Sequence, residues 1–339
     1  MTLSVSVALA GDVMLGRGVQ RAIGERGFAY PWGDLLPEIM AADGFLINLE
    51  CALTDHHRRW RDRDGALKAF YFRAPPRVVK TLRLAGVDLA VLANNHAADY
   101  GMTGLLDTVR HLDEAGIAHA GAGADLAAAR ALGVVTAGQW RLAVVAFADY
   151  PEAWAATPAA PGINYTPVTL AENDFTVIEQ ALAEARRQAG LVIFSIHWGP
   201  NMRTRPTQQF REFARRVVEA GADLFWGHSA HVVQGVELWQ GKPILYDTGD
   251  FVDDYAVHGE LRNDLSALFL MRARAAAIER IDLVPATIGR CQVNRAHGAE
   301  RAWFAERFTT LCAELGTEVL ATDEMLTIPV GLVPERGHR

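Results

Sequence analysis

Short apolar runs alternate along this chain with polar turns and with segments of helical periodicity. The stretch at residues 87–101 shows the pattern clearly, because its apolar run stops at Asn94-Asn95-His96 and a helical pattern resumes at Leu105. A buried run of that length is typical of a central strand. Polar side chains at the carboxyl end of such a strand indicate a ligand site, although asparagine and aspartate also favour ordinary turns.

The same alternation predicts the other elements of the chain. Strands are predicted at residues 4–10, 44–49, 69–72, 87–92, 116–120, 134–137, 142–147, 191–196, 224–226, 236–239, 243–246, 265–272 and 278–284, and helices at 75–85, 104–115, 126–131, 174–188, 207–220 and 302–315. Residues 138–139 are predicted as a hairpin turn, and residues 150–169 as an irregular excursion. The alternation favours an α/β architecture in which helices cover the sheets.

Composition and charge narrow the function classes. The chain of 339 residues is 50% hydrophobic and 22% charged, which is ordinary for a globular protein. Its formal net charge is -7 and no segment concentrates lysine or arginine, so the sequence lacks the electrostatic footprint of a protein that binds nucleic acid. The arginine-rich stretch at residues 56–63 is interleaved with aspartate, and it is predicted as an exposed loop or a local anion contact.

The cysteine content and the N-terminal sequence indicate in which cellular compartment the protein is expected. Three cysteines without C-x-x-C spacing argue against a disulfide framework or a structural zinc site, and they favour a reducing compartment. The first apolar run follows no basic segment and leads directly into Gly11-Asp12, so we interpret it as a strand and not as a signal peptide. No apolar run reaches the length of a membrane-spanning helix. We therefore expect a cytoplasmic protein without a membrane segment.

Polar side chains recur where predicted strands end, and a layered sheet would bring them to one edge. They are Asp12, Glu50, Asn95, His96, His197, His228 and His231. Carboxylate, carboxamide and imidazole groups suit Mn, Fe or Zn. Two adjacent ions would need a bridging carboxylate, and such a pair activates a bound water. Taken singly, Asp12 could be a turn acid and His197 a core histidine, but the recurrence favours a metal site.

Six motifs occur in series along the chain. They are GDVMLGR at residues 11–17, NLEC at 48–51, LANNHAADYG at 92–101, HWG at 197–199, GHSAHVVQGVE at 227–237 and ILYDTGDF at 244–251. Together they resemble the CapA group, the bacterial capsule and poly-γ-glutamate synthesis family, which is related to calcineurin-like metallophosphoesterases. The resemblance implies a four-layer α/β/β/α sandwich of the metallo-dependent phosphatase type at residues 1–284. Residues 285–339 would be a C-terminal extension that packs on it, or forms a subunit contact in a homodimer, without supplying ligands.

The resemblance also implies one or two divalent ions held by side chains at the strand ends. Glu50 would bridge both ions, Asp12 and His231 would serve the first ion, and the second would be held by Asn95, His197 and His228.

Three further residues take catalytic roles by the same resemblance. His96 would be the general acid that protonates the leaving group, Asp99 would orient it, and Arg17 would hold an anionic oxygen. Two positions depart from the pattern: Met14 stands where the phosphoesterases have a histidine, and Asp250 stands where relatives commonly have asparagine. A carboxylate-rich centre with fewer imidazoles favours Mn or Fe over Zn.

These features predict a metal-dependent hydrolase that acts on a small anionic substrate, with a phosphoester as the first expectation. Metal-activated water would attack the substrate while His96 protonates the leaving group. The same groups could act on an amide or γ-glutamyl bond in the synthesis of poly-γ-glutamate or of a peptide-like metabolite. The third alternative is a non-catalytic partner of a ligase. Capsule-synthesis members generally carry an N-terminal membrane anchor that is not found here, which argues against a role in polymer export.

Overall fold

A computed structural model describes residues 4–331 of the chain, which form a mixed α/β fold. In chain order its strands are β1 (Val5–Val13), β2 (Gly44–Leu49), β3 (Ala52–Leu53), β4 (Arg73–Ala74), β5 (Leu89–Val91), β6 (Ala118–Ala120), β7 (Ala122–Gly123), β8 (Gly133–Ala137), β9 (Trp140–Ala148), β10 (Gly162–Ile163), β11 (Leu191–His197), β12 (Leu224–His228), β13 (Val236–Trp239), β14 (Lys242–Leu245), β15 (Asp250–Val252), β16 (Leu265–Arg274), β17 (Ala277–Gly289), β18 (Gln292–Arg295), β19 (Leu320–Ala321) and β20 (Leu326–Pro329).

Helices connect many of these strands. They are α1 (Arg17–Arg26), α2 (Leu36–Met40), α3 (Val79–Leu84), α4 (Gly101–Ala115), α5 (Leu126–Ala129), α6 (Glu172–Gln188), α7 (Gln208–Glu219) and α8 (Gly298–Ala313), with 3-10 turns at Tyr30–Leu35, Pro76–Val78 and Glu152–Trp154. Within residues 4–331, none of the helices combines the length and the apolar character that crossing a bilayer requires.

Two large sheets organise the chain. The ten-stranded sheet has the order β19-β20-β17-β16-β1-β2-β5-β6, with β15 paired to β1 and β18 paired to β17. Its β1, β2, β5 and β6 are parallel, whereas β16 and β17 are antiparallel to their neighbours. The six-stranded sheet has the order β13-β14-β12-β11-β9-β8, and its four inner strands are parallel. The candidate metal centre described below lies at the carboxyl ends of the parallel strands.

Strand β9 shows how the two sheets are covered. Its side chains alternate in direction, as in any strand. Leu142 and Val144 belong to the apolar core that includes residues of the ten-stranded sheet. Val145 belongs to a second core together with Phe175 of α6 and Phe213 of α7. The six-stranded sheet therefore packs towards the larger sheet on one face and against α6 and α7 on the other.

Most of the predicted elements are present, and one predicted strand is wrong. The hairpin at residues 138–139 is confirmed, because β8 and β9 pair antiparallel with Ala137 opposite Trp140. No strand occurs at residues 69–72, although the run of apolar residues suggested one. The N–H of Phe72 donates to the side chain of Asp99 instead of joining a sheet ladder. The three cysteines are free, as predicted.

The C-terminal part of the chain contacts the ten-stranded sheet. Phe308 of α8 is buried and lies edge-on to Phe269 of β16, with ring centroids 6.5 Å apart. Strand β20 pairs with β17, and β17 itself runs across the predicted boundary after residue 284. The two-part division stays a prediction, and residues 332–339 of the predicted extension lie outside the described residues. The predicted cytoplasmic location and homodimer also stay predictions.

Candidate metal centre

Asp12 lies at the centre of the site because three strands meet around it. In the register of the ten-stranded sheet, Asp12 of β1 is opposite Asn48 of β2 on one side and Asp250 of β15 on the other. The side-chain Nδ2 of Asn48 donates to Asp12 Oδ1 at 2.7 Å, and Asn94 Nδ2 donates to Asn48 Oδ1 at 3.0 Å. These buried carboxamides hold the Asp12 carboxylate in one orientation.

A glycine allows β1 and β15 to come this close. A Cβ atom on Gly11 would lie 1.8 Å from the carbonyl oxygen of Gly249. That same carbonyl accepts the N–H of Asp12 at 2.9 Å. The close backbone approach that places Asp12 beside Asp250 therefore needs a residue without a side chain at position 11.

The first group of potential ligands joins Asp12 to two histidines of the six-stranded sheet. Ligand atoms of Asp12, His197 and His228 all lie within 4.8 Å of one another. The two Nδ1 atoms of the histidines are 2.9 Å apart, and they lie 4.0 and 3.9 Å from Asp12 Oδ1 respectively. The hydroxyl of Ser195 lies 3.0 Å from His228 Nε2, on the other edge of that ring. The Nδ1 atoms of both imidazoles thus lie on the side of Asp12 Oδ1.

The second group contains more carboxylates. Ligand atoms of Asp12, Glu50, His231 and Asp250 lie within 4.8 Å of one another, and all four residues are buried. His231 Nδ1 is 2.7 Å from Asp250 Oδ1 and 3.5 Å from Asp12 Oδ2. Asp12 is common to both groups, whereas the family resemblance implies that Glu50 is the shared ligand. The bridging role of Glu50 stays a prediction, and Glu50 Oε1 lies 3.9 Å from His197 Nε2.

A strained loop brings His231 to this position. Ser229 and His231 have φ values of 120° and 60°, in the left-handed region that side-chain-bearing residues seldom adopt. Asp247 stabilises the loop, since its Oδ2 accepts the N–H of Ala230 at 2.7 Å and its Oδ1 accepts that of Gly249 at 2.8 Å. Strain of this kind, held by surrounding bonds, is common at functional sites.

Burial shapes the protonation of these groups. It raises the pKa of Asp12 well above the usual range, and repulsion from Glu50 adds to the effect. Burial lowers the pKa of His228 to about 3. For His231 burial acts in the same direction, but the carboxylates, Asp250 first, outweigh it and raise the pKa well above the usual value. A divalent cation binds ionised carboxylates and neutral imidazoles. Its positive charge would therefore compensate the negative charge of these buried carboxylates.

Unpartnered oxygens provide a direct test of whether a metal fits. Among the described residues, no hydrogen-bond donor reaches four buried side-chain oxygens: Asp12 Oδ2, Glu50 Oε1, Asn95 Oδ1 and Asp250 Oδ2. A buried acceptor without a partner costs roughly 1–3 kcal/mol, and more when it is charged. Carboxylate, carboxamide and imidazole atoms together are a suitable donor set for a divalent metal. The residues therefore fit the predicted metal.

Asn95 differs from the other predicted ligands. It follows β5 at the same edge of the sheet and is only half-buried. Its backbone carbonyl accepts the ammonium of Lys68, and its side-chain oxygen is unpartnered. Ligation by Asn95 stays a prediction.

His96 and Asp99 form a hydrogen-bonded dyad beside the cluster. His96 Nδ1 is 2.6 Å from Asp99 Oδ2, which directs the other ring nitrogen, Nε2, towards Glu50 Oε1 at 3.9 Å. The ring of Phe72 stacks on the imidazole, with centroids 3.9 Å apart. The bond to Asp99 occupies Nδ1, so Nε2 is the ring nitrogen that faces the cluster.

A cleft of about 300 Å³ opens over the cluster. Its lining residues are Arg17, Phe70, Phe72, His96, Asn201, Met202, His231, Tyr255 and Ala256. Arg17 is exposed and its Nε lies 3.3 Å from Asp254 Oδ1. Its guanidinium carbon is 5.5 Å from the ring centre of Phe72. The cleft thus has a cation at its wall and aromatic rings beside His96.

The comparison with known families agrees with the motifs. The family model described as the bacterial capsule synthesis protein PGA_cap matches residues 6–255. This chain belongs to the PGA_cap family. The resemblance to the CapA group that the motifs indicate is thereby confirmed.

Relatives of the PGA_cap chain carry names from polymer synthesis. A polyglutamine synthesis accessory protein of Mycobacterium tuberculosis is 33% identical over 95% of each chain. The capsule biosynthesis protein CapA of Bacillus anthracis is 29% identical and spans 84% of this chain and 67% of its own length. The PGA biosynthesis protein CapA of Bacillus subtilis is 27% identical, with 84% and 72% covered.

Several contributors to the PGA_cap site have no role assigned from the sequence, among them Asn48, Tyr255 and Lys68. Asn48 ends a predicted strand two residues before Glu50, so the strand-end rule could have found it. Tyr255 donates its hydroxyl to Glu50 Oε2 at 2.9 Å, and Lys68 contacts Asp99 at 2.5 Å. Both Tyr255 and Lys68 lie in segments without regular periodicity, and no local signal distinguishes them.

Proposed function

We propose that this PGA_cap protein is a metal-dependent hydrolase of the CapA type that acts on a small anionic substrate, a phosphoester in the first instance. The observation that carries the proposal is the buried cluster around Asp12, whose unpartnered oxygens lie beside the His96–Asp99 dyad. Structural acids in a core are normally paired. An unsatisfied acidic cluster next to a positioned imidazole, in a cleft with Arg17, is typical of a catalytic centre.

The proposal includes the finer architecture, a four-layer α/β/β/α sandwich. It is supported by the six-stranded sheet, which has α6 and α7 on one face and shares the other core with the ten-stranded sheet. Helix α8 contacts β16 and β17 of the larger sheet. In this arrangement the carboxyl ends of parallel strands from both sheets meet at the cluster.

Each side chain of the site has a place in the proposed chemistry. One ion would be held by Asp12, His197 and His228 with Asn95, and another by Asp12, Glu50, His231 and Asp250. Divalent ions at such sites act as Lewis acids and lower the pKa of a coordinated water. Three carboxylates and one imidazole in the second group favour Mn or Fe over Zn.

The residues of the cleft supply the remaining functions. Arg17 binds an anionic oxygen of the substrate at the cleft wall. His96 Nε2 holds the proton that the leaving oxygen takes, and Asp99 keeps the ring in place through Nδ1. The hydroxyl of Tyr255 fixes one oxygen of Glu50. Phe72 covers the imidazole and excludes water from that face.

A second candidate function is hydrolysis or transfer at an amide or γ-glutamyl bond. The names of the relatives favour it, since they refer to polyglutamine and PGA synthesis. His96 would then protonate a leaving nitrogen instead of an oxygen. The word accessory in one of these names favours a further alternative, a non-catalytic partner of a ligase. Such a partner would need neither stoichiometric metal nor the proton donor His96.

One set of measurements separates the three functions. Metal content is determined on the purified protein, before and after loading with Mn, Fe or Zn, and each form is assayed with p-nitrophenyl phosphate, bis-p-nitrophenyl phosphate and γ-glutamyl-p-nitroanilide. The proposal expects bound metal and turnover of a phosphoester that is lost in Asp12→Asn but retained in the exposed variant Asp323→Asn. Turnover of the anilide alone would favour the amide function. Absence of retained metal and of all turnover would favour the binding partner.

A further inference from the structure

The irregular segment at residues 55–72 contacts the dyad at both members: the ring of Phe72 stacks on His96, and three hydrogen bonds connect the segment to Asp99. Most of the segment is exposed, and it connects β3 to β4. The N–H of Trp60 donates to the carbonyl of Asp99 at 2.8 Å, and the N–H of Phe72 donates to Asp99 Oδ2 at 2.6 Å. The third bond comes from Lys68, whose Nζ lies 2.5 Å from Asp99 Oδ1. The segment therefore does more than the exposed loop or anion contact that the sequence suggested for part of it.

Lys68 is the charged member of this attachment. Its side chain is only 16% exposed, and its ammonium also donates to the backbone carbonyl of Asn95. The ammonium lies 4.7 Å from the ring centre of Trp154, within the range of a cation–π contact. Burying a charge costs free energy unless it is paired and hydrogen-bonded. A lysine on an exposed loop could place its ammonium group in water without this desolvation cost. The burial of Lys68 therefore points to a specific role.

The Asp99 carboxylate is held at both of its oxygens. Oδ2 is shared by His96 Nδ1 and the N–H of Phe72, whereas Lys68 is the donor to Oδ1 among the described residues. A carboxylate fixed at one oxygen alone can rotate about its χ2 bond, whose preference is broad. The position of the imidazole depends on this carboxylate, because Asp99 is the side chain that bonds to Nδ1.

We infer that Lys68 is a positioning residue, which acts through Asp99 to keep His96 Nε2 in line with the leaving group. The inference rests on the proposed function, in which His96 donates a proton. Lys68 does not line the cleft. Through Asp99 it acts on the step that needs a correctly placed proton, and a displacement of about 1 Å at a reacting group can lower a rate by about 100-fold.

The test compares substrates that need the proton donor to different extents. Lys68→Met removes the ammonium and keeps much of the apolar length, Lys68→Arg keeps the charge, and Lys80→Met is the matched control at an exposed lysine of α3. Each variant is assayed with phenyl phosphate, whose leaving oxygen is strongly basic, and with p-nitrophenyl phosphate, whose leaving oxygen is weakly basic. Lys68→Met should lower kcat for phenyl phosphate by about 10- to 100-fold and kcat for p-nitrophenyl phosphate much less, with KM little changed. Lys68→Arg should recover most of the loss.

Equal loss on both substrates, a change confined to KM, or no loss would overturn the inference. A second measurement is independent of any substrate: the NMR signals of the His96 ring, read by ¹⁵N labelling. Loss of the Nδ1–H signal of the bond to Asp99 in Lys68→Met, with the signal kept in Lys80→Met, supports the positioning role. An unchanged signal contradicts it. If the unaltered protein turns over no phosphoester, the proposed function fails and the ring signals alone decide the role of Lys68. Lys68→Leu, which likewise has no donor for Asp99 Oδ1, gives the same readings should the methionine variant fail to fold.

Discussion

Asp12 and Asp250 face each other across the parallel pair β1 and β15, and both lie within reach of one imidazole, that of His231. Asp250 stands where relatives commonly have asparagine, and Met14 stands where the pattern of the related phosphoesterases has a histidine. Met14 is buried, and its sulfur accepts the N–H of Gly16 at 3.0 Å. The second ligand group therefore lacks the imidazole that the pattern places at residue 14, and has a third carboxylate in Asp250.

The first prediction follows from the additional carboxylate of Asp250 in the second ligand group. Asp250→Asn keeps the size of the side chain and removes one anionic oxygen from the second group. We expect the affinity for Mn to fall by about 10- to 100-fold, the range typical of losing a group that tunes a metal site. Competitive titration with a fluorescent chelator measures it, and Asp323→Asn is the control. Unchanged affinity would show that Asp250 does not serve the metal.

The second prediction decides which carboxylate is shared. The family resemblance implies that Glu50 is the bridge, whereas Asp12 is the residue common to both ligand groups. If the geometry of the groups governs binding, Asp12→Ala loses all bound metal, and Glu50→Ala retains the ion held with His197 and His228. Metal-to-protein ratios of the two variants after gel filtration provide the answer. Loss of all metal from Glu50→Ala would establish Glu50 as the bridge.

The sequence could predict that the potential ligands lie together, because strand ends are visible in it. His197 and His228 each end an apolar run, and in the parallel register of β11 and β12 they stand side by side. The same rule extends to Asn48, which was not assigned. Contacts between distant, irregular segments are not marked by an apolar run. The sequence alone therefore does not indicate the roles of Lys68 and Tyr255.

The wrong strand has a related physical cause. Residues 69–72 have the apolar and aromatic composition of a strand, and propensity reports only how well a residue fits a pleated surface. In the structure, Phe72 is buried against His96 and bonds to Asp99, while Phe70 is 62% exposed at the cleft. The candidate site thus contains aromatic residues whose local sequence pattern predicts a strand.

The third prediction concerns stability at Gly11. A methyl group there would lie 1.8 Å from the carbonyl oxygen of Gly249, so β1 and β15 would have to move apart. Gly11→Ala should therefore lower the free energy of unfolding by about 2–3 kcal/mol, as overpacking does elsewhere. Gly24→Ala is a matched control in α1, where no atom lies within 4 Å of the added carbon. It should raise stability by about 0.5–1 kcal/mol through helix propensity. Urea unfolding of both variants measures the difference.

The fourth prediction is a dependence of stability on pH at Asp149. Burial raises the pKa of this carboxyl from 3.8 to about 6 in the folded chain. The folded state therefore disfavours the ionised form: the cost is fully present above about pH 6, declines as the pH falls towards 3.8 and is absent below that value. Asp149→Asn can still accept the N–H of Gly199. It should stabilise the fold by about 1–2 kcal/mol near pH 8 and have no effect near pH 4, as measured by thermal unfolding. A gain of equal size at both pH values would contradict the raised pKa.

The last prediction separates proton donation from metal binding at the dyad. His96 lies beside the ligand groups without belonging to either, and its Nε2 is 3.9 Å from Glu50 Oε1. His96→Ala should therefore leave metal content and folding near normal and lower kcat by about 10²–10⁴-fold, the usual contribution of general acid catalysis. His111→Ala, at a residue paired with Glu114 on α4, is the control and should change neither quantity. The loss should also be larger for phenyl phosphate than for p-nitrophenyl phosphate, because the weakly basic leaving oxygen departs without a proton. Loss of metal from His96→Ala would instead make His96 a ligand, and the proton donor would have to be sought elsewhere in the cleft.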